Sequence, residues 1–403
     1  MIKKIRVAQL KPGMFVHDMD CGWMEHPFLT DSFTVRNDKD IERMVGHGIF
    51  ELFIDSEKGL DLADAPTRVE VEQSVTRKIS EIVSKFKLVE PVSLHEELIN
   101  ARLVRDEANK IIGDLMTGVR QGKKVETDRL DPVVNRMSAS ILRNKDALLS
   151  LCRIKEKDSY TFRHSVSVGA LLMCFTRVFK PRSGDMELVG IGGMLHDIGK
   201  TMVPDRILNK PGALTPDEYV TMQMHVQHGQ NILADARDIT QTSFDVVAQH
   251  HERFDGSGYP LRLKGSEMSV YGQMASIVDV YDAMTSDRVY RMGMDPTLAV
   301  RKMFEWSRSH FDPELIQIFV RTIGIYPVGT LVMLESKRIA IILNQDGRDL
   351  TRPVVRAVYD ATKRCYIPPQ DIDLSANLGH GGGDRITSHE SASKWGIDPQ
   401  QFI

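Results

Sequence analysis

Hydrophobic and polar positions alternate differently in successive parts of the chain. Residues 1–65 contain short β-type runs separated by glycine and proline turn signals, with one helix predicted at 38–48 (DKDIERMVGHG). This pattern predicts a small α+β module. Residues 66–150 repeat apolar positions at helical spacing and are predicted to be a helical linker region. Long amphipathic helices often pair with a second copy, so we also expect a homodimer.

Residues 151–326 form the longest helical segment, and the pattern returns to strands after it. The runs GTLVMLES, RIAIILNQ and VVRAVYD predict a small β extension over 327–375. Residues 376–403 contain a glycine run and many small polar residues, so we expect a flexible tail. The predicted fold class is therefore α+β and multidomain, with a small N-terminal α+β module, an all-helical catalytic domain and a small C-terminal β extension.

Composition and charge narrow the class of protein. The 403 residues carry a net charge of -3, which argues against a general DNA binder. The four cysteines lie far apart without a CxxC pair, so neither a disulfide framework nor a thiolate metal site is indicated. The sequence also shows no signal peptide and no apolar stretch long enough for a membrane span. We therefore expect a cytoplasmic protein.

Histidines and aspartates interrupt several of the apolar helical segments. Taken singly, each histidine is most simply a hydrogen-bonded core residue, whereas a buried carboxylate needs a positively charged partner. Taken together, they form a set in which a shared cation would offset every burial cost. The members of this set are His164, His196, Asp197, His225, His250, His251 and Asp279. The sequence therefore predicts a metal centre.

The donor types restrict the metal. Imidazole and carboxylate without thiolate suit iron, manganese, zinc or nickel. Seven donors exceed what one tetrahedral ion accepts, and two divalent ions bridged by a carboxylate use them well. Asp197 is the expected bridge, because His196 beside it can serve one ion.

A two-ion centre indicates hydrolysis of a phosphate ester, with a bridging hydroxide attacking phosphorus while the ions stabilise charge on the phosphoryl oxygens. Lys200, just after His196, is suited to contact phosphate or to protonate the leaving oxygen. Arg288 and Arg291, in SDRVYR, are candidates for holding phosphate, although their spacing suits solvated arginines equally well.

Three motifs together resemble the HD-GYP family of bacterial cyclic di-GMP phosphodiesterases. They are HDIGK at 196–200, HHERFDGSGYP at 250–260 and DVYDAMTSDRVYR at 279–291. The resemblance covers about residues 155–330. It implies an all-helical HD-type catalytic domain, a metal centre commonly of iron or manganese, and cleavage of cyclic di-GMP to pGpG or GMP. The stretch LKPGMFVHDMDCGWMEHPF also resembles a domain of unknown function that often precedes HD-GYP domains, which implies a regulatory role or partner contact for the module over 1–65.

Carried over residue by residue, the resemblance implies the same seven metal ligands. It also implies that Lys200 contacts the phosphate or the leaving group, and that Arg288 and Arg291 contact substrate. One position departs from the family pattern. Members with a third metal carry glutamate four residues before the first histidine, where this chain has Tyr160. This departure favours two ions.

Such an enzyme would lower the level of a second messenger that controls biofilm formation and motility. Two alternatives stay open at this point. One is a catalytically weak sensor or scaffold that binds the cyclic dinucleotide or a diguanylate cyclase partner. The other is a hydrolase of another cyclic dinucleotide. The complete ligand set weighs against the first alternative, and the GYP segment weighs against a generic HD nucleotidase.

Overall fold

The computed structural model describes residues 1–20, 32–46, 49–83, 91–152, 160–179, 184–212, 214–236, 239–286, 293–307, 309–324, 326–344, 352–376, 383–390 and 392–402. The fold class predicted from the sequence is confirmed, because a helical part lies between two small antiparallel sheets. The domain boundaries proposed from the sequence remain predictions. Among the described residues, no helix combines the length and the apolar character that a membrane span requires.

A four-stranded antiparallel sheet forms the N-terminal part, with strand order β1-β4-β2-β3. Its elements are β1 (Ile2–Arg6), β2 (Phe15–Asp18), β3 (Phe33–Thr34), α1 (Asp38–Gly46) and β4 (Glu51–Asp55). Successive residues of β1 alternate between more and less buried positions, as expected for a strand with one covered face. Ile5, Val16 and Ile54 pack with Met44 of α1 in a small core.

The central part is helical, and one hydrophobic core extends through it. Its helices are α2 (Arg68–Val83), α3 (Leu94–Arg120), α4 (Asp131–Cys152), α5 (Tyr160–Phe179), α6 (Asp185–Leu195), α7 (Asp205–Leu208), α8 (Pro216–Ala234), α9 (Gln241–Gln249), α10 (Val270–Thr285), α11 (Pro296–Glu305) and α12 (Pro313–Ile323). Several begin where the sequence supplies an N-cap. The side chains of Ser93, Thr215 and Ser269 each accept a hydrogen bond from a backbone amide in the first turn.

Glycines allow α5 and α6 to pack closely. A Cβ atom at Gly193 would lie 2.9 Å from the Cα of Gly169, and a Cβ atom at Gly169 would lie 2.6 Å from Cγ of Met194. Neither position has room for a side chain. This contact places the first turns of α5 beside the end of α6, where His164 and His196 are found.

A five-stranded antiparallel sheet forms the C-terminal part, with strand order β9-β5-β6-β7-β8. Its elements are β5 (Leu331–Leu334), β6 (Arg338–Asn344), β7 (Val354–Asp360), β8 (Cys365–Asp373), β9 (Ile386–Glu390) and a short helix α13 (Ala392–Trp395).

The prediction of a flexible tail over 376–403 is wrong for the part of the tail that the structure describes. β9 pairs along β5, and Ile397 is buried against Leu331, Ile339 and Val358. The local composition indicated flexibility because it does not show the pairing with a strand more than 50 residues earlier in the chain, which orders this segment.

A cluster of charged side chains, several of them buried, joins the N-terminal sheet to α11. The ammonium of Lys4 on β1 lies 3.0 Å from a carboxylate oxygen of Asp20, 3.2 Å from one of Glu51 and 3.1 Å from one of Glu305. Lys302 on α11 adds a second cation, 3.8 Å from Asp20. We call Lys4, Asp20, Glu51, Lys302 and Glu305 the ionic cluster.

Candidate metal centre

The seven candidate ligands lie at the ends or on the inner faces of five neighbouring helices. His164 lies near the start of α5, and His196 and Asp197 follow α6 directly. His225 lies within α8, and His250 and His251 follow the end of α9. Asp279 lies within α10. The structure therefore brings together residues that are up to 115 positions apart in the sequence.

A glycine permits the approach that completes the group. Gly199 belongs to the 3₁₀ helix Ile198–Met202, which packs on α8. A Cβ atom at this position would lie 1.9 Å from the carbonyl oxygen of His225. Only glycine allows the backbone after Asp197 to lie this close to α8. The short HDIGK motif thus positions His225 as well as its own residues.

The first donor group consists of His164, His196 and Asp279. The Nε2 atoms of His164 and His196 are 3.3 Å apart. Asp279 Oδ1 lies 3.0 Å from Nε2 of His164 and 3.7 Å from Nε2 of His196. All three residues are buried.

The second donor group consists of His225, His250 and His251. The Nε2 atoms of His225 and His250 are 3.3 Å apart. The rings of His250 and His251 have centroids 4.2 Å apart, so the adjacent histidines after α9 both belong to this group.

Asp197 lies between the two groups. Its Oδ2 atom is 3.3 Å from Nε2 of His196 and 3.7 Å from Nε2 of His164. Its Oδ1 atom is 3.6 Å from Nε2 of His225 and 3.9 Å from Nε2 of His250. One carboxylate oxygen therefore faces each group. Oδ1 is buried and has no hydrogen-bond donor among the described residues.

Hydrogen bonds donated by the Nδ1 atoms explain why the Nε2 atoms point inward. Nδ1 of His196, His225 and His250 lies 2.7–2.8 Å from the backbone carbonyl oxygen three residues earlier. Nδ1 of His164 lies 2.7 Å from a carboxylate oxygen of Asp282. A carbonyl or carboxylate oxygen only accepts, so each Nδ1 carries the proton and leaves a lone pair on Nε2.

This arrangement fits divalent cations. Two lone pairs that face each other at 3.3 Å repel unless a positive charge lies between them. Nitrogen ligands about 2.1 Å from one ion are about 3.0–3.4 Å apart in octahedral or tetrahedral geometry. Both Nε2 pairs fall in that range, and the unbonded Oδ1 of Asp197 supplies a further ligand atom.

Burial and neighbouring charges hold the donors in the forms that bind metal. Burial, reinforced by nearby Lys200, lowers the pKa of His225 to about 4, and burial lowers the pKa of His250 to about 3. Burial alone would raise the pKa of Asp197, but His196 and Lys200 outweigh it and hold the pKa well below its usual range. At neutral pH the two imidazoles are therefore neutral and the carboxylate is ionised.

Lys200 lies at the edge of the donor groups. Its ammonium donates a hydrogen bond of 2.5 Å to Oδ2 of Asp197, and its side chain is 25% exposed. The other predicted cations, Arg288 and Arg291, lie outside the described residues. The side chain of Tyr160 also lies outside them, although its backbone begins α5.

Three further residues act at the site in ways that the sequence pattern did not reveal. The carboxylate of Asp282, one helical turn after Asp279 on α10, accepts a hydrogen bond from Nδ1 of His164. Tyr259 of the GYP segment stacks on His251, with ring centroids 4.6 Å apart and planes 25° apart. The buried carboxylate of Glu252 accepts from the backbone amides of Leu261 and Leu263, which ties the GYP loop to the turn after His251.

Comparison with known proteins places this fold and site in a family. The model of the HD domain matches residues 148–315, and the model of a domain of unknown function, DUF3391, matches residues 2–130. A cyclic di-GMP phosphodiesterase of Pseudomonas aeruginosa is 39% identical over 98% of this chain and 94% of its own length.

More distant similarities cover less of this chain. A 3'3'-cGAMP-specific phosphodiesterase of Vibrio cholerae is 35% identical over 41% of this chain and 32% of its own length. A solved HDG"Y"P protein from Bdellovibrio bacteriovorus is 15% identical, with a TM-score of 0.47 over 79% of this chain and 98% of its own.

The HD domain is a metal-dependent family, and the histidine and aspartate groups described above lie within the residues that its model matches. The near full-length relative shares both the N-terminal and the helical parts. The chain therefore belongs to the HD-GYP family and carries a DUF3391 domain ahead of its HD domain.

Proposed function

We propose that this protein is a metal-dependent phosphodiesterase that hydrolyses cyclic di-GMP to pGpG, to GMP or to both. The observation that carries the proposal is the position of Asp197, whose two carboxylate oxygens face two separate donor groups. The similarity to a cyclic di-GMP phosphodiesterase of Pseudomonas aeruginosa supports the choice of substrate, since the two proteins align along almost their whole lengths.

The proposed ligands are the seven residues named from the sequence. His164, His196 and Asp279 would hold one ion, His225, His250 and His251 would hold another, and Asp197 would bridge them. Iron or manganese is the proposed metal, since the donors are imidazole and carboxylate, with zinc and nickel as alternatives. When bound, two such ions activate water and stabilise charge on a phosphoryl oxygen.

Lys200 has two proposed tasks. Its contact with Asp197 holds the ammonium beside the proposed bridging carboxylate, and its partial exposure leaves the ammonium accessible from outside the donor groups. From there it would contact a phosphate oxygen or donate a proton to the departing ribose oxygen. Arg288 and Arg291 are proposed to hold substrate phosphate as bidentate partners.

A second substrate deserves a direct test. The similarity to a phosphodiesterase specific for 3'3'-cGAMP favours cyclic GMP-AMP as the alternative cyclic dinucleotide. The two molecules differ in one base, so the metal centre and Lys200 would treat their phosphates alike. Discrimination would then depend on residues that contact the bases.

Two kinds of protein partner are also proposed. Tyr259 and the GYP loop would contact a diguanylate cyclase, which makes the substrate. A second copy would pack on α3, where Ile99 and Leu103 lie one turn apart and are 72% and 67% exposed. Light scattering on an Ile99→Glu variant tests the dimer, since a charge at this position would leave only monomer.

The main experiment combines metal analysis with product chromatography. The protein is purified anaerobically, its metal content is measured, and cyclic di-GMP and 3'3'-cGAMP are supplied in parallel. We expect about two ions per chain and faster cleavage of cyclic di-GMP. Bound metal without cleavage of either substrate would favour the catalytically weak sensor.

Lysine variants separate catalysis from metal binding. Lys200→Ala should keep its metal and lose turnover by about 10²–10⁴-fold, the usual range for a general acid. Lys210→Ala is the matched control, because Lys210 pairs with Glu218 on α8 away from the donor groups. If Lys200→Ala lost most of its metal, its proposed role in the reaction would be wrong.

A further inference from the structure

We infer that Asp282 is a positioning residue that orients His164 and strengthens it as a metal ligand, an inference that rests on the proposed function of the seven-residue site. One carboxylate oxygen of Asp282 lies 2.7 Å from Nδ1 of His164. The two side chains are only 7% and 5% exposed, so water does not screen the contact.

His164 differs in this respect from three other histidines of the site. His196, His225 and His250 each direct Nδ1 to a neutral carbonyl oxygen of their own chain segment, three residues earlier. Their ring orientation is therefore fixed by local backbone. The partner of His164 comes from another helix, α10, and is 118 residues away in the sequence.

The charge of the partner matters as well as its position. A carboxylate that accepts from Nδ1 fixes the tautomer, holds the ring plane and increases the basicity of Nε2. In this structure, Nε2 of His164 is thereby directed towards Asp279 Oδ1 at 3.0 Å and His196 Nε2 at 3.3 Å. Asp282 should thus strengthen metal binding by the first donor group and leave the second group unaffected.

Asp282 also belongs to the end of α10. The hydroxyl of Ser286 donates to the same carboxylate oxygen at 3.2 Å, and the Ser286 amide donates to the Asp282 carbonyl at 2.9 Å. The carboxylate therefore contacts both a metal ligand and the C-cap of the helix that carries Asp279. This second contact is structural, so the test must separate it from the effect on His164.

Two substitutions at Asp282 separate the effect of its charge from the effect of its hydrogen bond. Asp282→Asn keeps the shape and an oxygen that can accept from Nδ1 but removes the charge. Asp282→Ala removes both. Metal affinity is measured by chelator competition with Mn²⁺ and no substrate. We expect Asp282→Asn to bind one of its two ions about 10–100-fold more weakly, the range typical for loss of an outer partner of a ligand, and to bind the other normally.

Asp185→Asn is the matched control. Asp185 on α6 is also a buried carboxylate, and it accepts from the hydroxyl of Tyr271 on α10 without contacting a donor-group histidine. It should leave both metal affinities unchanged. Ser286→Ala, which removes only the C-cap contact, should do the same. Wild-type affinity in Asp282→Asn, or equal weakening of both ions, would overturn the inference.

The measurement is independent of turnover. A wild-type protein that binds metal but cleaves no cyclic dinucleotide would end the proposed function and leave the affinity comparison intact. A wild-type protein that binds no divalent ion would overturn both. If Asp282→Ala failed to fold, the Asn variant would still decide the matter, since it has the same shape as the native residue.

Discussion

Two groups of charged and polar side chains in this protein offset the cost of burying carboxylates in different ways. In the ionic cluster, buried carboxylates of Asp20 and Glu305 meet the ammonium of Lys4 directly. In the metal centre, Asp197 and Asp279 are surrounded mainly by imidazoles. The Nδ1–H groups of three of these imidazoles already donate hydrogen bonds to backbone carbonyl oxygens. Lys200 contacts one oxygen of Asp197 and leaves the other without a donor among the described residues.

The difference separates a structural cluster from a binding site. Burial of a carboxylate costs free energy in both places, and a positive charge must offset it. The chain supplies that charge itself in the ionic cluster. In the metal centre, it supplies lone pairs that face one another, so the compensating charge must come from bound ions. Substitutions in the ionic cluster should therefore lower the free energy of unfolding, whereas substitutions in the metal centre should reduce metal binding.

The largest effect is expected from Asp197→Ala. The substitution removes the carboxylate whose two oxygens face Nε2 of His196 in one donor group and Nε2 of His225 in the other. Hydrolysis should fall by more than the roughly 10–100-fold caused by loss of an outer partner, and bound metal should be lost. Metal analysis and product chromatography check both. Full activity in this variant would rule out the two-ion arrangement.

The effect of added metal on the thermal stability of Asp197→Ala tests whether bound ions supply the compensating charge in the metal centre. A ligand present at 100 times its Kd stabilises a protein by about 2.7 kcal/mol, which raises Tm by roughly 5–10 °C for a domain of this size. Mn²⁺ should produce such a shift in the wild type and none in Asp197→Ala. An equal shift in both would mean that the ion binds elsewhere.

An intermediate effect is expected from Lys4→Met in the ionic cluster. Removing one partner of a buried ion pair typically costs about 3–5 kcal/mol, and here it leaves Asp20 and Glu305 without their shared ammonium. Urea denaturation at pH 7 should show a loss of about 3 kcal/mol, with metal content unchanged. Lys58→Met is the control: this lysine is 59% exposed and 3.7 Å from Asp55, so it should cost less than about 1 kcal/mol.

The Lys4→Met effect should depend on pH. Burial raises the pKa of both Asp20 and Glu305 in the folded protein. Between the unfolded and folded pKa values, the folded state binds more protons, so stability falls as pH rises through that window. The loss caused by Lys4→Met should therefore be largest at neutral pH and shrink as the pH falls and the two carboxyls become protonated. A loss that grows on acidification would contradict this account.

The two clusters also show what sequence could reveal. Buried aspartates in apolar helices, such as Asp279 between Val278 and Val280, stand out because each conflicts with its local pattern. Together with five histidines, Asp197 and Asp279 could be predicted from the sequence to form one site of seven residues. Lys4, Asp20 and Glu305 lie in ordinary mixed segments, and nothing local distinguishes them from solvated charges.

Long-range pairing was the information that the sequence lacked. The contact of His164 with Asp282 spans 118 residues, and that of Lys4 with Glu305 spans 301. The wrong prediction of a flexible tail has the same cause, since β9 is ordered by its pairing with β5. Helix periodicity and glycine turns act over a few residues, so they predicted elements and donor types but not these partners.

The smallest effect is expected at Tyr259, on the edge of the metal centre. Its ring stacks on His251, and aromatic pairs contribute about 0.5–1.5 kcal/mol beyond the area they bury. Tyr259→Ala should therefore weaken metal binding by the second donor group by roughly 2–10-fold. Tyr259→Phe keeps the ring and should change the affinity by less than about twofold.

Comparing Tyr259→Ala with Tyr259→Phe also distinguishes the two roles proposed for the GYP loop, support of His251 and contact with a protein partner. If the stack on His251 is what matters, Phe restores metal affinity and Ala does not. If the loop contacts a diguanylate cyclase, Tyr259→Ala also weakens that interaction in a pull-down with metal-saturated protein. Unchanged cyclase binding in Tyr259→Ala would remove the partner role and leave Tyr259 as a support for His251, fixed at the metal centre by the loop that Glu252 holds.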